Sequence, residues 1–309
     1  MNDSELRFDG QVAVVTGGGQ GLGREHAFLL AERGAHLVVN DVGSDPHGGG
    51  QSEDPARRVV EEILAKGGDA VADFHSVATA EGGHAIIDTA MKAHGRIDIL
   101  VHNAGITDVS GIADLSPDRL DATLDVHLRG AFFVITPAWK YMRAAGYGRI
   151  VNVISNAGLF GLPGAPAYSA AKGGLVALTL SLAGEGAPHG IQVNAVAPAA
   201  ITRLTAGLDA GPLTEWWERW FHPGRVSPVV AWLAHPDCPT TGEIYSAGGG
   251  RVARVFTAEV PGYWSDHLSP EDVRDHLADI RAQDGYSMPG SSAEEMALYR
   301  KMIPEGGMR

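Results

Sequence analysis

Tyr168 and Lys172 stand four positions apart in Tyr168-Ser169-Ala170-Ala171-Lys172, so on a helix the phenol and the ammonium share one face about a turn apart. A free phenol titrates near 10, and using it as an acid or base near neutrality requires a shift of about 2–3 units, roughly 3–4 kcal/mol. A lysine ammonium at about 4 Å, with an effective dielectric near 20, supplies on the order of 4 kcal/mol. The pair therefore suits proton transfer to or from a substrate oxygen. On most helices the same spacing is only a solvated pair, so the function rests on what accompanies it.

One companion is Thr16-Gly17-Gly18-Gly19-Gln20-Gly21-Leu22-Gly23, a glycine-rich turn that follows an apolar run. Glycines permit a tight turn and a close approach of backbone to a pyrophosphate. The phosphate charge then meets the free N–H groups and the dipole of the next helix. Asp41 ends a second apolar run, where a carboxylate accepts hydrogen bonds from adenosine ribose hydroxyls. It also repels a 2′-phosphate, which favours NAD over NADP. The competing reading of Asp41 is a turn or helix-capping aspartate.

These residues need a scaffold of alternating strands and helices. Val12-Ala13-Val14-Val15 reads as a strand that ends at the glycine turn, and Leu22, Ala27, Leu29 and Leu30 continue at helical spacing. His36 to Asp41 then reads as a strand, Asp54 to Lys66 as a helix, Ala70 to Phe74 as a strand, Gly82 to His94 as a helix and Ile97 to Val101 as a strand. Arg149 to Ile154 and Ile191 to Val196 read as strands around a helix from about Tyr168 to Ala183, and Ile244 to Ala247 as the last strand. Short continuous apolar runs fit strands covered on both faces. The fold class expected is α/β: a doubly wound, mostly parallel Rossmann-type sheet with helices on both faces, and ligand beyond the carboxyl ends of the strands. Residues 1–250 form this one domain, and 251–309 form a C-terminal extension with a short helix around Ala293 to Met302. The extension either docks on the substrate mouth or a neighbouring subunit, or is partly ordered and takes no part in catalysis. Gly43 to Gln51 reads as a flexible insertion.

The chain has 309 residues, 44% of them hydrophobic and 20% charged, which is enough apolar matter for a continuous core. A formal net charge of -13 argues against nucleic acid or an anionic membrane as partner. Cys238 is the only cysteine, so no intrachain disulfide forms and a reducing cytoplasmic interior is expected. No secretory leader and no long apolar run is read, so no membrane span is expected. Among the 13 histidines no cluster with metal-ligand spacing stands out, and no metal is expected.

The glycine turn matches T-G-x-x-x-G-x-G, and with Tyr-x-x-x-Lys the chain resembles the short-chain dehydrogenase/reductase family over residues 8 to about 250. The resemblance implies that Ser155, thirteen positions before Tyr168, orients and polarises the substrate oxygen. It implies that Tyr168 is the acid/base, and that Lys172 lowers the tyrosine pKa and grips the nicotinamide ribose. Gln20 stands where NADP-preferring members often carry a basic residue. His102-Asn103-Ala104-Gly105 resembles the family's N-N-A-G, with Asn103, Ala104 and Gly105 against the adenine side and His102 as a departure. In Pro198-Ala199-Ala200-Ile201-Thr202, the Ile201 backbone and the Thr202 hydroxyl are placed to hold the nicotinamide carboxamide. His127 stands where most members have an Asn that holds a relay water; it either does the same, titrating near pH 6.5, or is a satisfied core histidine. Members are usually dimers or tetramers, so a homodimer or homotetramer is implied.

A narrower likeness runs through Phe8-Asp9-Gly10, Val39-Asn40-Asp41-Val42-Gly43, Val126-His127-Leu128-Arg129-Gly130, Tyr147-Gly148-Arg149-Ile150 and Ala197-Pro198-Ala199-Ala200. These resemble the branch that supplies the (3R)-hydroxyacyl-CoA dehydrogenase unit of peroxisomal multifunctional enzyme type 2, also called 17β-hydroxysteroid dehydrogenase type 4. The implied reaction is NAD-dependent oxidation of a (3R)-3-hydroxyacyl-CoA with a bulky or steroid-like acyl part. His75 replaces the Asp that usually meets the adenine amino group, which leaves more to the Val77 backbone. Leu213, Trp216, Trp217, Trp220 and Phe221 fall at helical spacing where the family keeps a substrate lid; the alternative is a stripe packed on the core or on a dimer partner. Rival functions are a hydroxysteroid or terpenoid alcohol dehydrogenase and a non-catalytic NAD-sensing regulator.

Overall fold

In the computed structural model, which describes residues 5–202 and 213–303, eight strands form one sheet: β1 Val12–Thr16, β2 His36–Asn40, β3 Asp69–Asp73, β4 Ile99–His102, β5 Gly148–Val153, β6 Ile191–Pro198, β7 Ile244–Gly248 and β8 Arg251–Val255. Their order is β3-β2-β1-β4-β5-β6-β7-β8. Every pairing from β3 through β7 is parallel. The order reverses between β1 and β4, so the switch-point crevice opens beyond the carboxyl ends of those two strands.

β8 is a strand that the sequence pattern does not reveal, because Arg251 and Arg254 leave it neither a continuous apolar run nor a strict alternation. Gly249 and Gly250, at φ 60 and 84, join it to β7. A two-residue connection permits only an antiparallel neighbour.

The helices are α1 Gly21–Glu32, α2 Asp54–Ala65, α3 Ala80–His94, α4 Pro117–Leu124, α5 Gly130–Ala145, α6 Asn156–Phe160, α7 Pro166–Gly186, α8 Thr214–Trp220, α9 Ser227–Ala234, α10 Pro270–Asp275, α11 Leu277–Ile280 and α12 Ser292–Met302. Strand residues alternate between two apolar layers. Ala13, Val15, Leu37, Val39, Ile99 and Val101 join Leu30 of α1, Ile63 of α2 and Val230 of α9 in one buried cluster. Val14, Val38, Leu100 and Ile150 point to the opposite face, covered by α3, α5 and α7, and all four are fully buried. β1 is buried along its whole length, which explains its unbroken β-branched run.

The chain divides into two compact units, Met1–Arg254 and Val255–Arg309. In the second unit, no described residue is fully buried. Tyr263 stacks on His276 at 3.9 Å, and Ser269 and Asp272 cap α10 reciprocally. No described helix is long and apolar enough to cross a membrane.

Candidate active site

The glycine turn runs directly from β1 into α1. Gly17 and Gly21 sit at φ 62 and 54, where a side chain would be strained. A Cβ at Gly23 would stand 2.1 Å from the Gly17 carbonyl oxygen, and one at Gly17 would stand 2.8 Å from Ala104 Cα. Gly23 therefore lies beneath the turn and lets α1 pack closely, while Gly17, Gln20, Gly21 and Leu22 line the cleft. Asn103 holds the turn in place: its Nδ2 donates to the carbonyls of Thr16 and Gly17, each at 3.0 Å. Ala104 and Gly105 line the cleft beside it.

Asp41 satisfies both readings of it. One carboxylate oxygen accepts from Gly19 N at 2.9 Å and the other from Gly43 N at 2.7 Å, which makes it a turn aspartate. It also lines the cleft, and a carboxylate has lone pairs to spare after two such bonds. Among the described lining residues, Lys172 is the only lysine or arginine. Val77 lines the cleft as well. His75, beside it, is tied through Nδ1 to the buried Asp73 carboxylate at 2.9 Å.

The expected flexible insertion at 43–51 is fastened down. The Asp45 carboxylate accepts from His47 N and Gly49 N, and Thr107 N donates to the Pro46 carbonyl at 2.7 Å. Ser44, Gly48, Gly50 and Gln51 thereby become lining residues. Nothing in their types marks them in the sequence; the hydrogen bonds across to the loop after β4 place them.

At the catalytic end, Tyr168 and Lys172 project from the first turns of α7 into the same cleft. Ser155 caps α6, accepting from Ala157 N at 3.1 Å and donating to Asn156 Oδ1 at 3.2 Å, and it lies close enough to the Tyr168 phenol to lower its pKa in part. Lys172 Nζ donates to the Val153 carbonyl at 2.7 Å and lies 5.8 Å from the Tyr168 ring centroid. The expected depression of the phenol by a lysine at about 4 Å is not realised. Burial raises the Tyr168 phenol above its ordinary value, offset in part by Ser155, and burial lowers the Lys172 ammonium to about 7. The interior works against both charges, so any phenolate requires a further cation in the cleft.

His127 also departs from expectation. It lies in a π-helical turn, Asp125–Arg129, set between α4 and α5, a distortion that often marks functional sites. Its Nε2 is 2.8 Å from the Ile106 carbonyl and its ring meets the Tyr168 ring edge-on at 5.2 Å. A Cβ at Gly105 would come within 2.6 Å of the ring, so the small residue after Asn103 makes room for the imidazole. Burial, then Lys172, holds the imidazole well below 6.5, so it stays neutral and does not titrate near that pH. His102, the other departure, is buried and reaches the His127 carbonyl at 3.2 Å with Nε2, and burial lowers it to about 4. The two substitutions form one buried pair that ties β4 to the π-turn, a pairing invisible in the sequence.

Pro198 and Thr202 line the cleft, and Thr202 lies 3.6 Å from where a Cβ on Gly21 would stand. Ile201 N donates to the Phe221 carbonyl at 2.8 Å, so the backbone N–H expected to meet a ligand there is already engaged. Leu213 precedes α8 and is exposed, as are Trp216 and Trp220. Trp216 and Trp217 both pack on the Phe221 ring, at 4.9 and 4.2 Å, and Trp220 lies under the Arg225 guanidinium. The aromatic stripe forms its own cluster rather than entering the core, and residues 203–212, which precede it, lie outside the described residues.

The short chain dehydrogenase family matches residues 11–210. A relative in Drosophila melanogaster, a peroxisomal multifunctional enzyme type 2, is 43% identical over 314 residues, covering 99% of this chain and 51% of its own length. The solved full-length structure of that enzyme type from the same organism superposes with a TM-score of 0.81 at 32% identity, over 96% of this chain and 50% of the other. A 7α-hydroxysteroid dehydrogenase, solved with NADH and 7-oxo glycochenodeoxycholic acid, superposes with a TM-score of 0.72 at 26% identity, over 81% and 97%. The chain thus spans about half the length of the first curated relative it matches. A match over most of the first unit, with relatives on the same sheet, places the chain in the short-chain dehydrogenase family, as an oxidoreductase.

Proposed function

We propose that this chain oxidises the hydroxyl of a (3R)-3-hydroxyacyl-CoA with a bulky or steroid-like acyl part, using NAD, and catalyses the reverse reduction. The observation that carries the reading is one shared cleft: Tyr168 and Lys172 open onto the space lined by the glycine turn and Asp41. The cradle fits a dinucleotide, because Cβ atoms at Gly17 and Gly23 would collide with the turn's own surroundings and prevent its tight form, and among the described lining residues the carboxylate after β2 is matched by no arginine. Gly17, Gln20, Gly21, Asp41, Asn103 and Thr202 would hold the group, which supplies a hydride acceptor and a positive ring when bound.

The chain's own residues handle the proton. Tyr168 accepts it from the substrate hydroxyl, and Ser155, beside that phenol, holds the substrate oxygen in line. Lys172, anchored on the Val153 carbonyl, is positioned to hold the ribose and to add its charge near the phenol. His127, neutral and packed against the Tyr168 ring, orients that ring. The apolar cluster around Trp216, Trp217 and Phe221 serves as the cover for a lipid-like substrate.

The thioester reading draws on the multifunctional relatives, and a free hydroxysteroid is the second reading, drawn from the bile-acid structure. The assembly proposed is a homodimer or homotetramer. A reducing compartment fits the single cysteine; the relatives' names point to peroxisomes for those proteins, so a tagged full chain imaged in cells decides between that and the cytoplasm. The test of function is NADH formation with (3R)- and (3S)-hydroxyacyl-CoA and a free hydroxysteroid, with Tyr168→Phe as control. Turnover of the free steroid alone displaces the thioester reading. No NADH from any of them leaves a nucleotide sensor.

A further inference from the structure

The amino ends of the strands, at the opposite end of the sheet from the catalytic cleft, gather three side chains of metal-ligand type. His36 opens β2 and Asp69 opens β3, and the two are register partners in the parallel ladder. His94 is the last residue of α3, which returns the chain to this edge before β4 begins. Far apart in sequence, they carry no spacing motif and are brought together by topology alone.

His36 Nδ1 lies 2.6 Å from Asp69 Oδ2, and His94 Nδ1 lies 3.9 Å from the same oxygen. All three atoms fall within 4.8 Å of one another. The two imidazoles stack with centroids 5.3 Å apart and 27° between planes, so both rings present Nδ1 to one carboxylate. The His94 side chain is 11% exposed, which fixes its ring, whereas Asp69 is 52% exposed and leaves room for water at remaining coordination positions.

We propose that His36, Asp69 and His94 form a binding site for a divalent transition ion of the zinc class, completed by water. Two imidazole nitrogens and one carboxylate oxygen suit zinc, copper or nickel, whereas calcium and magnesium favour all-oxygen sets. Bond lengths of about 2.0–2.2 Å put neighbouring ligand atoms of a tetrahedral zinc site about 3.4 Å apart. The 2.6 and 3.9 Å separations bracket that value, so side-chain adjustments of under about 1 Å suffice. The ion takes the place of the hydrogen bond between His36 and Asp69 and joins β2, β3 and α3 at one point. Because it binds the folded chain only, its effect is on stability.

The test is calorimetric titration of the chelator-treated full chain with Zn²⁺, alongside thermal melts and Cu²⁺ paramagnetic resonance. One ion per chain, a melting temperature raised by zinc, and copper coupled to two imidazole nitrogens are expected. Asp69→Asn and His94→Gln each weaken zinc binding at least tenfold, and His94→Gln reduces the nitrogen count to one. His36→Gln, at a side chain 38% exposed, gives the same loss without risk to the fold. Absence of stoichiometric binding, or binding that survives all three variants, overturns the proposal.

Discussion

The two ends of one sheet treat ionisable side chains in opposite ways. Beyond the carboxyl ends of β4 and β5, His102, His127 and Lys172 are buried, and the imidazoles act as neutral hydrogen-bonding struts. At the amino ends of β2 and β3, His36 and Asp69 pair while half in water. Residue type is shared between the two ends, and the solvent differs. Burial converts a charge into a positioning device whose charge returns only when a ligand brings a counter-charge, whereas exposure leaves the group free to take a proton or a metal ion.

The largest expected effect tests the buried end. Tyr168→Phe lowers turnover by about 10²–10⁴-fold, the range of a positioned acid/base, while the dissociation constant for the dinucleotide, read by fluorescence titration, stays within about threefold. Equal loss in both would make Tyr168 a binding residue and break the contrast. Lys172→Met comes next: turnover falls about 10–10²-fold, yet the melting temperature rises, because burial disfavours that ammonium and methionine fills the same space without charge. A lower melting temperature would show that the bond to Val153 outweighs the burial penalty. At the cofactor end, Asp41→Ser shifts the ratio of kcat/KM values toward NADP by about tenfold, through loss of a single charge repulsion.

Acid sharpens the comparison further. Burial lowers His26 to about 3 and His102 to about 4, and holds His127 well below 6.5. Their folded values lie below the unfolded one of about 6.5, so below that pH the unfolded chain binds more protons. Their contribution to stability is complete above about 6.5 and is lost as pH falls through about 4 and then 3. Melting temperature against pH therefore falls below 6.5, and His102→Asn makes that fall shallower. For the same reason, kcat/KM for alcohol oxidation rises with pH without an inflection near 6.5 from His127. The smallest effect belongs to the other end: Asp69→Asn leaves turnover within about twofold, because the residue sits across the sheet from the cleft. A larger change would show that the two ends are coupled.

Much of this was legible in residue order. The β-branched run Val12–Val15, the glycine turn behind it and the acidic residue after β2 are local signals, each set within a few residues, and the structure places the turn and the acidic residue on one crevice at the end of that buried strand. Tyr168 and Lys172 were legible as a pair because helix geometry fixes their shared face, but not in their electrostatics. Four-residue spacing does not say that Nζ turns to the Val153 carbonyl. The strand β8 was missed because its two arginines break both the apolar run and the alternation, and the 43–51 segment was misread because its glycines signal freedom while its partner, Thr107, lies elsewhere in the chain.

Sequence alone determined the alternation of strand and helix, the glycine turn after the first strand and the shared face of Tyr168 and Lys172, since each depends on neighbours along the chain. Tertiary structure alone decided that His102 and His127 pair beneath the site, that burial strips charge from both, and that His36, Asp69 and His94 meet at one edge. The physical reason is that dielectric surroundings and long-range proximity are properties of how layers stack, and a parallel sheet brings together residues that its crossover helices keep tens of positions apart.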